Sequence, residues 1–360
     1  SVDLADTKLI LSDALLSVNE MDFDLNTLVH LPEDVDGMFL DVDFKSVELQ
    51  LTDVMDLMSL PFGEYLEGME ATGRTFINGT FKGYIADFEM PVFSLQAKFR
   101  EVDFDYESLP YMLYNVSGIA DVEMDLNHEE NWYVKVSDFD AKTQYSHLAG
   151  SALVDQLTED MRFDIQAKLN LNLVDAKPFL PDDMPLDIQG MANGHANIKF
   201  LYSQFDQNQF DKMHIHGKVK LHHFIADYDT INLQSRLADV AFSMPNTKSK
   251  LHDFIALDID TKQLDVTAGK DITAVLNDLS LLLATNNLMA DDLPLSMGGN
   301  FQSGGLSAAM DDMQALLQSP GGDFNFEMDT QDSTAIPRMN LNLDVHQLIA
   351  TMDTIHIDIH

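Results

Sequence analysis

Cysteine is absent from this 360-residue chain, which excludes a disulfide framework and every thiolate metal site. Basic residues are scarce: 21 Lys+Arg stand against 60 Asp+Glu, for a formal net charge of -39. Nucleic acid needs a basic footprint that releases counterions, so a nucleic-acid partner is excluded. Direct attraction to an anionic membrane surface is disfavoured on the same ground. No run of about 18 apolar residues occurs, so no segment reads as a membrane-spanning helix. The opening Ser1-Val2-Asp3-Leu4 is neither a signal peptide nor a capped domain start, and the chain is expected to be a mature or trimmed piece of something longer.

Signatures of catalysis are missing too. The chain has no nucleophile elbow, phosphate loop, dinucleotide fingerprint or His-Glu-x-x-His pattern. The segment Gly68–Gly73 does not have the form of a phosphate loop. Carboxylates are spread so widely that no pair stands out as acid and base. The expectation is a protein that is not an enzyme and carries no cofactor.

What the chain has in abundance is alternation. Phe163, Ile165, Ala167, Leu169, Leu171 and Leu173 face one way, and Asp164, Gln166, Lys168, Asn170 and Asn172 the other. The same period recurs at Met38–Phe44, Phe93–Phe99, Ala120–Leu126, Ile215–Leu221, Phe324–Met328, Met339–Val345 and Ile355–Ile359. Side chains alternate across a strand, so each run predicts a strand with one apolar and one polar face. Sheets buried on both sides show continuous apolar runs instead, so antiparallel pairing is expected. Helical signals are few. Residues 52–58 predict two turns stopped by Pro61 and Gly63, and Ser151–Asp160 a short helix. Leu306, Met310, Met313 and Leu317 lie at helical spacing between glycine-rich breaks and predict a helix over 306–318. Ile272–Leu283 stays open between strand and helix. Turns are expected at Asn78-Gly79, Asn193-Gly194 and Pro245-Asn246.

The chain also repeats itself. The segment His222-His-Phe-Ile-Ala-Asp-Tyr-Asp-Thr-Ile231 returns as His346-Gln-Leu-Ile-Ala-Thr-Met-Asp-Thr-Ile355, about 120 residues on. A weaker third copy places Val102, Phe104, Tyr106 and Leu109 where Phe224, Ala226, Tyr228 and Ile231 stand. Upstream, Leu57–Phe62 and Gly68 echo Ala176–Phe179 and Gly190. The expected organisation is 1–51 as N-terminal strands, 52–173 and 174–300 as two repeat units, and 301–360 as a partial third.

A sheet with one apolar face must bury that face against something. About twenty-five strand-like runs, stacked about 4.8 Å apart, extend on the order of 100 Å, and native twist coils such a ribbon. The predicted fold is mainly β: an elongated, twisted antiparallel sheet curled into an open groove, apolar within and acidic without, with a few short helices. Each CH2 that leaves water for such a groove gains about 0.8 kcal/mol. A long acyl chain is therefore held firmly but without a fixed register, which suits conduction better than storage.

The order of motifs resembles a known family. An amphipathic strand is followed by Asp53–Met58, Leu60-Pro61-Phe62 and Leu66-Glu67-Gly68, and then by the alternating strand Thr75–Gly83. The second copy reads Val174–Leu180, Asp187–Gly190 and His195–Phe200, and is followed by Lys218–Ile231. This layout resembles the AsmA-like proteins of Gram-negative envelopes, especially the large Bacteroidota members, from about Met38 onward. The resemblance implies a long β-groove exposed to the periplasm and anchored in the inner membrane through an N-terminal segment that is not visible in this chain. It is similar to the bridge-like lipid transfer proteins, and implies phospholipid or another acyl-chain ligand, with envelope proteins as further partners.

Candidate lining residues of the groove are Phe93, Leu95, Phe99, Val122, Met124, Phe163, Ile165, Leu169, Leu171, Val219, Leu221, Leu341 and Leu343. Methionines on the apolar runs, such as Met38, Met328 and Met339, suit a lining that adapts to mixed chains. His214 and His216, two apart on a polar strand face, are weak metal candidates beside the simpler role of a solvated face. The same holds for His356 and His360 around Asp358. Asp182-Asp183, Asp291-Asp292 and Asp311-Asp312 lack the order of a calcium loop and are expected as solvated turns. Two other functions stay open: an assembly scaffold whose groove or free edges receive client β-strands, and a closed structural or adhesive array.

Overall fold

The structure is a computed structural model. It describes residues 2–3, 7–19, 21–32, 37–56, 68–87, 89–107, 109–179, 185–207, 209–246, 254–286, 295–328, 336, 338–352 and 355–359. The chain divides into two compact units, Ser1–Ala167 and Lys168–His360. Each is an antiparallel sheet built mostly from neighbours in sequence, and among the described residues neither closes into a barrel.

Unit 1 contains β1 (Val2–Asp3), β2 (Lys8–Val18), β3 (Met21–His30), β4 (Gly37–Ser46) and β5 (Leu49–Gln50). It continues with β6 (Met69–Ala86), β7 (Val92–Tyr106), β8 (Leu113–Asp125), β9 (Tyr133–Lys142) and β10 (His147–Asp155). Strands β4 and β5 pair with successive parts of β6, and each of the other strands up to β9 pairs with the next along the chain. The strand β11 (Arg162–Asn172) carries the division between the units.

Unit 2 contains β12 (Leu186–Leu201), β13 (His214–Tyr228), β14 (Ile231–Met244), β15 (Ile255–Ala268) and β16 (Ile272–Thr285), each paired with the next. Beyond β16 each strand is split. The strands β17 (Leu295–Gln302) and β18 (Gly305–Met310) pair with the two halves of β16. They are followed by β20 (Gly321–Met328) and β19 (Met313–Gln318), and then by β21 (Arg338–Asp344) and β22 (Gln347–Met352). The last strand, β23 (Ile355–Ile359), pairs with β22.

One device recurs in nearly every strand. In unit 2 the ladder is interrupted at Gly190, His223, Arg236-Leu237, Lys262-Gln263, Asp278, Ser303-Gly304, Ser319-Pro320 and Val345-His346. These positions lie opposite one another in register and form a crease across the sheet. Unit 1 has a comparable line through the break between β4 and β5, Gly73, Glu101 and Asn115. Gly73, Glu101, Asn115, Gly190, His223, Asp278 and Ser319 all have positive φ, as bulge residues do. An extra residue turns every later side chain to the other face. The apolar positions change parity at the same places: Leu257 and Ile259 precede the crease in β15, and Leu264 and Val266 follow it. Bulge and parity change cancel, and the apolar residues stay on one face.

The crease also frees backbone groups, and buried hydroxyls take them up. Ser303 Oγ reaches the carbonyls of Asn277 at 2.6 Å and Gly305 at 3.0 Å. Thr261 Oγ1 lies 2.8 Å from Ser235 Oγ, 2.9 Å from the Leu237 carbonyl and 3.0 Å from that of Gln263. In unit 1 the Ile77 amide donates to Ser46 Oγ at 2.8 Å. A short helix, α1 (residues 51–56), lies over this part of unit 1. Its Leu51 and Met55 pack on Ala71, Val102, Val116 and Ala141, and its Val54 joins Met21 and Leu49.

Several expectations change. The helix over 306–318 is the hairpin of β18 and β19, with Met310 paired to Met313 across Asp311-Asp312. A two-residue turn places 306, 310, 313 and 317 on one face of a hairpin, the same spacing that a helix gives. Asp311, at positive φ, supplies turn geometry that Asp tolerates. Ser151–Asp160 is not a helix: through Asp155 it belongs to β10, where Leu148, Ala152 and Val154 pair with apolar residues of β9. The open segment 272–283 is strand, within β16. Asn78-Gly79 and Asn193-Gly194 are not turns but lie inside β6 and β12. Gly194 sits there because its backbone runs against Lys218 and Val219, a close approach that only glycine permits. Helix α1 covers the described part of the expected 52–58 helix. Leu57–Phe62, Asp182-Asp183, Asp291-Asp292 and His360 lie outside the described residues.

Gly73 and Gly190 should be the least replaceable crease residues. Added methyl groups would meet Val102 Cα at 2.7 Å and the His222 carbonyl at 2.8 Å, at φ +138 and +123. Gly73→Ala and Gly190→Ala should each cost roughly 2 kcal/mol or more in urea unfolding. Gly269→Ala, at φ +62 with nothing within 4 Å, should cost only about 1 kcal/mol.

Candidate functional site

The apolar face of each unit is a set of cross-strand rows. In unit 1 one row runs Leu25, Phe44, Gly79, Leu95, Val122, Val134 and Val154. A parallel row runs Val42, Phe81, Phe93 and Met124. Four of the candidate lining residues therefore lie in two adjacent rows. Phe99 sits nearer the crease, opposite Gly118. In unit 2 one row runs Val219, Val240, Ile259, Leu281, Phe301, Gly322 and Leu343. The next runs Gly217, Phe242, Leu257, Leu283, Gly299, Phe324 and Leu341. Val219 and Leu343 thus stand toward opposite ends of a single row, with Leu221 one row nearer the crease. Phe163, Ile165, Leu169 and Leu171 alternate along β11 and are half-buried.

Burial separates this face from an ordinary core. Phe93, Leu95, Val122, Met124, Val219 and Leu221 are half-buried, while Leu341 and Leu343 are 49% and 46% exposed. Among the described residues buried apolar side chains are few, and many are alanines or lie beside the crease, as Val102, Val116 and Leu279 do. Phenylalanine rings lie over glycines of the adjacent strand. A methyl group on Gly118 would come within 2.8 Å of Phe99 Cζ, one on Gly217 within 2.6 Å of Phe242 Cζ, and one on Gly299 within 3.2 Å of Phe324 Cζ. Each ring covers backbone that a glycine leaves bare. These pairs escaped the sequence analysis because ring and glycine are joined only by strand register. Phe44, Val240, Ile259 and Leu281 were legible as alternating positions but were not singled out.

The opposite face is polar. Lys82 meets Asp41 at 2.6 Å, Lys262 meets Asp278 at 2.6 Å, Lys220 meets Asp239 at 3.4 Å, and Gln96 donates to Asp121 at 2.7 Å. Arg74 is shared between Glu48 and Glu101, which hold its guanidinium above its usual pKa. A depression of about 540 Å³ crosses this face in unit 1, lined by Asp43, Lys45, Asn78, Gln96, Asp121, Glu123, Tyr133 and Lys135 among others. Burial, with Glu123 and Asp121 nearby, raises the Tyr133 phenol.

His214 and His216 are exposed on this polar face, with His216 Nε2 3.3 Å from Asn197 Nδ2. Among the described residues no group of three or more His, Asp or Glu is placed to hold a metal. Also among the described residues, no helix is long and apolar enough to cross a membrane.

The chain matches no family model, no curated protein and no solved structure.

One end of the unit 1 face is fixed by a polar knot beside Met124. Asp125 Oδ1 accepts from the Asn127 amide at 3.0 Å, and its Oδ2 lies 3.0 Å from His128 Nδ1. Asn127 in turn brackets Met90, accepting from its amide and donating to its carbonyl at 2.6 Å each. The Trp132 indole donates to the Asp125 carbonyl at 2.7 Å. The Asn127 amide foremost, then His128, holds the Asp125 carboxyl below the usual range. A depressed folded value means that its stabilisation is present above the ordinary carboxylate pKa and fades as pH falls through the folded one. An NMR titration of Asp125 should show a midpoint below that of an ordinary aspartate. Asp125→Asn should flatten the acid limb of stability against pH; an unshifted midpoint would refute the assignment.

Proposed function

We propose that the apolar sheet faces bind lipid acyl chains, and that the protein is a periplasmic AsmA-like scaffold that carries phospholipid between the membranes of a Gram-negative envelope. One observation carries this: rows of half-exposed apolar side chains continue across many strands without a polar break, and their phase is kept through the crease. An acyl chain laid on such rows gains about 0.8 kcal/mol per CH2 removed from water. No charged group lies along the two unit 2 rows to fix one position, so a chain shifts along them at little cost. The phenylalanine–glycine pairs lower the relief of the surface without removing apolar area. Incomplete burial of Phe93, Leu95, Val122 and Val219, which have paired strands on both sides, supports a face that a ligand can reach.

Organic extraction of gently purified protein, followed by mass spectrometry, should yield phospholipid in near-stoichiometric amount. Lipid-free protein from several mild preparations would overturn the proposal. Leu343→Asp should leave the fold intact and lower acyl-chain capture on the order of tenfold, since a carboxylate on an apolar track costs a few kcal/mol to bury. Leu279→Asp, at a position 4% exposed, should unfold the protein instead. Unfolding by both would point to a sealed core.

A further inference from the structure

On the other side of the crease from the two apolar rows, unit 2 places three methionines side by side. Met310 closes β18 and Met313 opens β19, and the two face each other across the turn of Asp311 and Asp312. Met313 pairs in turn with Met352 at the end of β22. Directly opposite residues on neighbouring antiparallel strands have Cβ atoms about 4.5–5.5 Å apart. A methionine side chain is unbranched and turns about several bonds, so sulfurs from three successive strands can meet at one point. Ile272 and Ile355 flank the methionines at either end of this row, and no side chain in it carries oxygen or nitrogen.

These methionines do not fill a core. Met310, Met313 and Met352 are 43%, 38% and 46% exposed. The next residues on the same face of their strands are Ala308, Ala315 and Ala350, which are too short to pack a thioether in place. Beyond the alanines, the same three strands carry Leu306, Leu317 and Leu348. Leucine therefore serves as the ordinary large apolar residue here, and what methionine adds to it is a soft, polarizable sulfur. We propose that Met310, Met313 and Met352 form a site for a soft monovalent cation, Cu(I), held by three thioether sulfurs. Soft sulfur ligands select such an ion over hard cations, which take oxygen. Asp311 and Asp312, both exposed at the turn between the first two methionines, set negative charge beside the bound cation. A chain of net charge -39 also draws cations toward its surface.

The site uses sulfur chemistry rather than apolar area and stands independently of lipid binding. Its test is an anaerobic titration of the intact 360-residue protein with Cu(I) against a chromogenic Cu(I) chelator. One equivalent should be retained, and X-ray absorption should show sulfur as its ligand. Met313→Leu conserves volume and keeps the row apolar, and should weaken retention roughly tenfold or more. Met310→Leu and Met352→Leu should act in the same direction. Met297→Leu, in β17 across the crease, should change nothing. In protein with labelled methionine methyl groups, one equivalent of Ag(I), a redox-inert stand-in, should shift together the three NMR signals that M310L, M313L and M352L remove. Loss of all copper to the chelator, equal retention by Met313→Leu, nitrogen or oxygen ligation in the absorption spectrum, or Ag(I) shifts at other methionines alone would each overturn the proposal.

Discussion

A residue inserted into a β-strand turns every later side chain to the opposite face. In a half-apolar sheet that would put half of each strand's apolar side chains into water. Here the insertion occurs in strand after strand at one level, and the sequence changes its apolar parity there. His222-His223 in β13, Asn277-Asp278 in β16 and Val345-His346 between β21 and β22 are all points where odd apolar positions give way to even ones, or the reverse. The apolar face survives because the two changes coincide.

The remaining features serve that coincidence. A bulge leaves backbone donors and acceptors without ladder partners, and each one buried unsatisfied costs about 1–3 kcal/mol. In unit 2 Ser235, Thr261 and Ser303 supply hydroxyls at the freed groups. In unit 1 Ser46 does so, and α1 covers the line with Leu51, Val54 and Met55. The repeated segments take the same place in this scheme. Val102, Phe104 and Tyr106 follow Glu101, and Phe224, Ala226 and Tyr228 follow His223. Leu348, Ala350 and Met352 follow His346. The glycine of β12 that matches Gly73 of β6 is Gly190: each faces the bulge of the following strand.

The two faces divide the work. Carboxylates and a few paired lysines keep one side solvated, and a net charge of -39 opposes association through it. Exposed ion pairs such as Lys262–Asp278 contribute little to stability, so the fold rests on backbone ladders and on the partial burial of the other face. A face left half-exposed along whole rows gives up part of the stabilisation that a sealed core provides. The acyl-chain binding proposed above would account for that compromise, since a ligand would complete the burial.

Strand class, antiparallel pairing and most of the apolar face were determined by the sequence alone, because a two-residue period needs no distant partner to be recognised. The lining candidates Leu95 and Val122, or Val219 and Leu343, are visible in that way. Which of them share a row is decided only by register, which the tertiary ladder sets. Periodicity also misled where two structures give one spacing: Leu306, Met310, Met313 and Leu317 fit a helix and a two-residue hairpin equally, and pairing with β16 and β22 selects the hairpin. Asn78-Gly79 carries turn chemistry, yet the ring of Phe44 from the adjacent strand occupies the space a side chain on Gly79 would fill. A glycine needed for such an approach looks, in sequence, like a glycine needed for a turn. Parity changes were written in the chain throughout, but only the alignment of neighbouring strands turns separate bulges into one crease.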